Sequence, residues 1–83
     1  MMASSRSVAG VDPGDARVLV AEAIRSRAER RGLSLRALAQ EAGTSRGYMD
    51  KVIACQSSPT IDWLCRIAAV LECHPRDLLP RGH

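Results

Sequence analysis

Residues 34–54, SLRALAQEAGTSRGYMDKVIA, hold two short apolar patterns at helical spacing on either side of a glycine. Leu35, Leu38 and Ala39 fit one helical face, and Met49, Val52 and Ile53 fit another. Gly43 has the chemistry to close the first helix, and Ser45 the side-chain oxygen to open the second. Only three or four residues are left for the corner between them, so the stretch predicts a helix, a tight turn and a helix. Neither helix can bury its apolar face alone, and the rest of the chain must supply the scaffold.

Working outward, Ser34 can cap a helix over about 35–42, with Arg36 and Gln40 four apart on its polar side. Thr44 and Ser45 start a helix over about 46–54 whose outer side carries Arg46, Gly47, Asp50 and Lys51. Upstream, a helix starts after Asp12-Pro13 or at Asp15 and runs to Arg31, with Val20 or Ala21, Ile24 and Ala28 turned inward. Downstream, 55–59 reads as a polar turn and 60–71 as a helix, with Ile61, Leu64, Ala68 and Leu71 inward beside Cys65 or Ile67. Pro75 opens and Pro80 stops a short fifth helix over 76–79. Trp63 lies off the main stripe, and either covers the core edge or joins Leu78 and Leu79 at a subunit contact. The Ser-, Gly- and Ala-rich residues 1–14, with Arg6, read as a flexible arm, 15–80 as the folded domain and 81–83 as a tail.

Eighty-three residues allow one domain with a small core, built mainly from Leu, Ile, Val and Ala because there is no Phe, one Trp and one Tyr. The net charge of +3 fits an anionic partner, and eleven of the twelve basic residues are Arg, the side chain suited to base edges and phosphates. Cys55, Cys65 and Cys73 are odd in number and lack close ligand spacing, so they read as free thiols of a cytoplasmic protein, with neither metal nor cofactor expected. No apolar run approaches the ~20 residues that cross a bilayer, so no membrane partner is expected. His74 and His83 stand apart, and no nucleophile, base and oxyanion donor converge in the sequence. The chain is therefore not expected to be an enzyme.

The outer face of the second short helix carries the chemistry that remains. Arg46 can fork onto a guanine edge, and Lys51 can meet a base or a phosphate. Arg46 and Asp50 also stand four apart, where they can simply pair in solvent for about 0.2–0.5 kcal/mol. Gly47 either lets the helix approach a duplex closely or is an incidental glycine costing ~1 kcal/mol against Ala. Tyr48 either packs its ring or offers its hydroxyl to a phosphate. Arg25, Arg27, Ser34, Arg36, Gln40, Ser45, Gln56 and Ser57 join it as candidates for the DNA backbone. A recognition surface this small gains affinity and half-site discrimination by two-fold pairing, which predicts a homodimer on double-stranded DNA.

With the helices in this order, the sequence resembles the Cro/C1-type, or XRE-like, helix-turn-helix family over about residues 20–79. The most specific portions are RRGLSLRALAQEAGTSRGYMDKVI and SPTIDWLCRIAAVLECHPRDLL, with Leu33-Ser34, Leu38-Ala39 and Gly43 in the family's pattern. The resemblance implies an all-α, compact five-helix bundle of the lambda-repressor-like type that binds operator half-sites, commonly as a dimer, to repress or activate transcription. It places recognition on Arg46, Gly47, Asp50 and Lys51, with Ser45 at the helix start. Three departures stand out. Leu35 replaces the Gln that members commonly carry at the start of helix two. Ala28 and Ile53 replace an Arg–Glu pair together, which avoids burying one charge alone. Cys55 replaces a glycine, so the turn after helix three is expected to change. A protein-interaction module or an antitoxin-like, partner-regulated protein on the same fold is the alternative function.

Overall fold

The computed structural model describes residues 12–80. Among them are four α-helices, α1 (Pro13–Arg30), α2 (Leu35–Ala42), α3 (Arg46–Ile53) and α4 (Ile61–Leu71), one 3-10 turn at Pro75–Leu78, and no strand. Residues 1–11 and 81–83, which hold most of the expected arm, its Arg6 and the expected tail, lie outside the described residues.

The helix boundaries follow from side chains written into the sequence. Asp12, Ser34, Ser45 and Thr60 take extended backbone, and their side-chain oxygens accept from the amides of Gly14, Ala37, Tyr48 and Trp63 at 3.0–3.1 Å. The four C-terminal ends share one closing motif as well. Past each end an amide reaches back to a carbonyl of the last turn: Leu33 to Ala28 at 2.9 Å, Thr44 to Ala39 at 3.0 Å, Gln56 to Lys51 at 2.8 Å and Cys73 to Ala68 at 3.0 Å. The residue before that amide is left-handed each time: Gly32 (φ 70°), Gly43 (71°), Cys55 (64°) and Glu72 (57°). The turn after α3 is therefore not altered by the loss of a glycine. Cys55 adopts the glycine's conformation, at a steric cost that a Cβ brings.

Ile24 and Ala28 of α1, Leu38 of α2, Met49 and Val52 of α3, Leu64, Ile67 and Leu71 of α4 and Leu78 of the 3-10 turn meet in one core. α2 packs on α4, and α1 packs on α3, so the short pair α2–α3 is backed on both sides by the longer helices. Leu35 and Ile53, two of the family departures, are half-buried against this core, and Ala28 is buried within it.

Three expectations are corrected. The fifth helix is one 3-10 turn, because Pro75 begins it, Pro80 stands two residues past its end, and its first turn is closed locally by His74 and Asp77. The His74 amide donates to Asp77 Oδ2 at 3.1 Å, and the Arg76 amide donates to His74 Nδ1 at 3.1 Å. α4 keeps the expected Leu64, Ala68 and Leu71 inward with Ile67 beside them, but Ile61 is 61% exposed and Trp63 takes its place in the core. Finally, Trp63 (6% exposed) and Leu78 (0%) are buried inside this chain and are closed to a subunit contact; of the three residues named for one, only Leu79 remains exposed.

Candidate nucleic-acid interface

On α3, Met49 and Val52 turn into the core, and helical spacing then leaves Arg46, Gly47, Asp50 and Lys51 on the exposed side together. Arg46 and Asp50 lean toward one another, Nε to Oδ2 at 4.0 Å, with their side chains 63% and 67% exposed. A Cβ placed on Gly47 would meet nothing within 4 Å, so packing within the chain does not require glycine there. Lys51 lies in the last turn of α3, where its charge also suits the carbonyl end of the helix.

Besides its buried Met49 and Val52, α3 is held at its N-terminal end by one aromatic side chain. The indole N–H of Trp63 donates to Thr44 Oγ1 at 2.8 Å, which ties α4 to the corner between α2 and α3. The Tyr48 ring packs edge-on against the same indole, with centroids 5.3 Å apart and planes at 79°. Its hydroxyl donates to the Ser58 carbonyl at 3.5 Å, and Arg17 Nη1 donates to Ser58 Oγ at 3.3 Å. Arg66 Nη1 reaches the Gly43 carbonyl at 3.5 Å. The sequence pattern uses Thr44 only at the start of α3 and gives Arg66 no role; a tryptophan whose N–H needs an acceptor is the one local signal that points to such a partner.

Several of the candidate backbone-contact residues converge. Arg36 and Gln40 of α2 and Arg46 of α3 line one open cleft of about 300 Å³ with Ala39 and Thr44. Ser34 and Ser45 are exposed, with their hydroxyls already capping α2 and α3. Gln56 is exposed and Ser57 half-buried in the turn after α3. Tyr48 is half-buried, its ring engaged as described. Arg25 is exposed on α1, whereas Arg27 is brought to a different place, a groove of about 230 Å³ with Arg30, Arg31, Leu71 and Glu72 at the end of α4. There Arg31 pairs with Glu72 at 2.9 Å. Burial pushes the nearby Cys73 thiol above its ordinary range, with Arg27 opposing the shift and Asp77 adding to it. Cys55, Cys65 and Cys73 are all free thiols. No helix among the described residues is long and apolar enough to cross a membrane.

Two short helices meeting at a Gly43-Thr44-Ser45 corner, the second with its outward face open and basic at both ends, define a helix-turn-helix protein. A family model described as helix-turn-helix domain matches residues 19–81. Among solved structures, the chain is similar to an HTH_3 family transcriptional regulator from Vibrio cholerae (31% identity, TM-score 0.74, 81% of this chain covered). It spans only 38% of that protein's length. It is also similar to the hypothetical transcription factor NHTF from Neisseria (26% identity, TM-score 0.76, covering 86% of this chain and 83% of that one). A third is the restriction-modification controller protein C.AhdI from Aeromonas hydrophila (27% identity, TM-score 0.71, covering 75% of this chain and 94% of that one). A search of curated proteins found no match. The chain belongs to the helix-turn-helix domain family, with its structural neighbours in the Cro/C1-type, XRE-like group.

Proposed function

We propose that this chain is a sequence-specific, double-stranded DNA-binding transcriptional regulator that reads an operator with α3 in the major groove, as a homodimer. The observation that carries this is the exposed α3 face of Arg46, Gly47, Asp50 and Lys51, set beside a cleft that adds Arg36 and Gln40 from α2. Arg46 forks onto a guanine edge while Lys51, Arg36 and the polar side chains of the corner and the following turn hold the phosphates. Pairing falls to the apolar groove of about 320 Å³ lined by Pro13, Ala16, Val20, Ile61, Leu64 and Leu79, where Ile61 and Leu79 are exposed. The structural relatives, an HTH_3 family transcriptional regulator and a restriction-modification controller protein among them, support the same class of activity.

Selection from a random duplex pool at low and moderate salt tests this directly. Binding should enrich one sequence with two-fold symmetry and weaken as salt rises. Arg46→Ala should lower affinity for the enriched duplex much more than for others, by about 1–3 kcal/mol. Equal weakening on every duplex assigns Arg46 to the backbone instead. Absence of any enriched sequence favours a protein-interaction module. A solution mass of one chain at working concentration removes the homodimer, and Leu79→Glu should produce that mass if the groove is the pairing surface.

A further inference from the structure

Asp50 is an unusual residue to keep on a surface meant for a polyanion, because its charge repels every phosphate near it. Its pairing with Arg46 does not explain it: both side chains are about two-thirds exposed and their closest atoms are 4.0 Å apart, so the contact adds little to the helix. The geometry gives it another use. The contact takes Nε of Arg46 and one oxygen of Asp50, which leaves both Nη groups for a guanine O6/N7 edge and the second carboxylate oxygen for a neighbouring base. Gly47, between them in the chain, adds no side chain, and nothing stands within 4 Å of where its Cβ would be.

An ionised carboxylate accepts hydrogen bonds and donates none. In the major groove guanine offers only acceptors, thymine offers an acceptor and a methyl, adenine offers one of each, and cytosine offers only its N4 amino donor. The base beneath Asp50 is therefore repelled if it is guanine or thymine and best matched if it is cytosine. Four residues of helix span about 6 Å, which is one to two base steps at about 3.4 Å each. Resting on the reading that α3 enters the major groove, we propose that Asp50 is a specificity-determining residue that demands a cytosine within two base steps of the guanine taken by Arg46.

The test repeats the duplex selection with the wild-type chain, Asp50→Asn and Asp50→Ala, followed by competition between single-base variants of the selected site. The wild type should select guanine with cytosine one or two steps away. Asp50→Asn should bind all duplexes more tightly, because a negative charge is gone. It should also trade cytosine for adenine at that one position, a change in preference of roughly tenfold or more, since an amide matches the adenine N6/N7 edge. Asp50→Ala should lose the preference at that position and keep the guanine. Both variants should melt with the wild type, as Asp50 is exposed and outside the core. A uniform gain on all duplexes with the cytosine preference intact in both variants overturns the assignment of Asp50 and leaves DNA reading by α3 standing. A wild-type chain that selects no sequence removes both.

Discussion

Replacing Cys55 by glycine should make this protein more stable. Cys55 is the residue after the end of α3, at φ 64°, and its amide donates to the Val52 carbonyl at 3.0 Å while the next amide, of Gln56, donates to Lys51 at 2.8 Å. Those two bonds need the left-handed turn, so the chain cannot relax the strain without giving them up. An L-residue in that conformation costs about 1–2 kcal/mol, and glycine removes the cost but adds about 0.5–1 kcal/mol of freedom to the unfolded chain. The thiol's own contact, to the Ile53 carbonyl at 3.8 Å, is too long and weak to change the balance. The difference runs from about 0 to 1.5 kcal/mol and centres at ~0.75 kcal/mol, roughly 3–6 °C in Tm for a domain of this size. Thermal and urea unfolding followed by far-ultraviolet circular dichroism measure it, with Cys55→Ala as the control. Alanine removes the thiol but keeps the Cβ, so it should gain nothing. If alanine stabilises as much as glycine, the strain argument is wrong and the thiol itself is the burden.

Three further outcomes follow from the same contacts. Trp63→Phe should cost about 1–2 kcal/mol by stranding the Thr44 hydroxyl, and Thr44→Val should then cost less when combined with Trp63→Phe than in the wild type; additive costs in urea unfolding would mean the hydrogen bond carries nothing. Ala28→Arg alone should destabilise by about 3–5 kcal/mol because it puts a lone charge at a position only 1% exposed, and Ile53→Glu added to it should recover part of the loss; no recovery in the double variant shows that the family's ion pair no longer fits this core. Cys73 holds its proton above the ordinary thiol range, chiefly through burial, so the unfolded chain releases that proton at lower pH than the folded one. Stability from this group is full below the ordinary thiol range and is lost as pH rises from that range through the raised value of the folded chain, and Cys73→Ala should flatten that decline.

Most of the fold was legible because its punctuation is chemical and local. Asp12, Ser34, Ser45 and Thr60 each mark a helix start by an oxygen that accepts from an amide of the turn that follows it, and Gly32 and Gly43 mark ends that favour a residue without a Cβ. The α3 face was legible for the same reason: with Met49 and Val52 inward, Arg46, Gly47, Asp50 and Lys51 must turn outward. In α4 the inward Leu64, Ile67, Ala68 and Leu71 were legible, but Ile61 and Trp63 both flank that stripe and periodicity does not choose between them. What settles that edge is a partner nineteen residues away, the Thr44 hydroxyl that accepts from the indole. The pairing of Arg31 with Glu72 and the retreat of Arg27 from the α3 side are likewise products of tertiary packing that no local pattern records.

Those long-range contacts explain how α3 is held where the family resemblance implies an ion pair and this chain carries Ala28 and Ile53. An Arg in the first helix and a Glu near the end of the third would pin the recognition helix from its C-terminal half. Here Ala28 is buried and Ile53 packs half-buried against the same core, so that half is held by apolar contact, which fixes distance well but rotation poorly. Rotation decides which side chains meet the bases, and it is set at the other end. Trp63 grips the corner through Thr44 by a directional hydrogen bond and the first turn of α3 through the Tyr48 ring, both from inside the core. The base-reading face is thus oriented by the Trp63 side chain of α4 in addition to the packing of α3 on α1 and α2. A core change in α4 at Trp63 should therefore disturb base discrimination in Arg46 and Asp50 more than an equally destabilising change in α1 at Ile24.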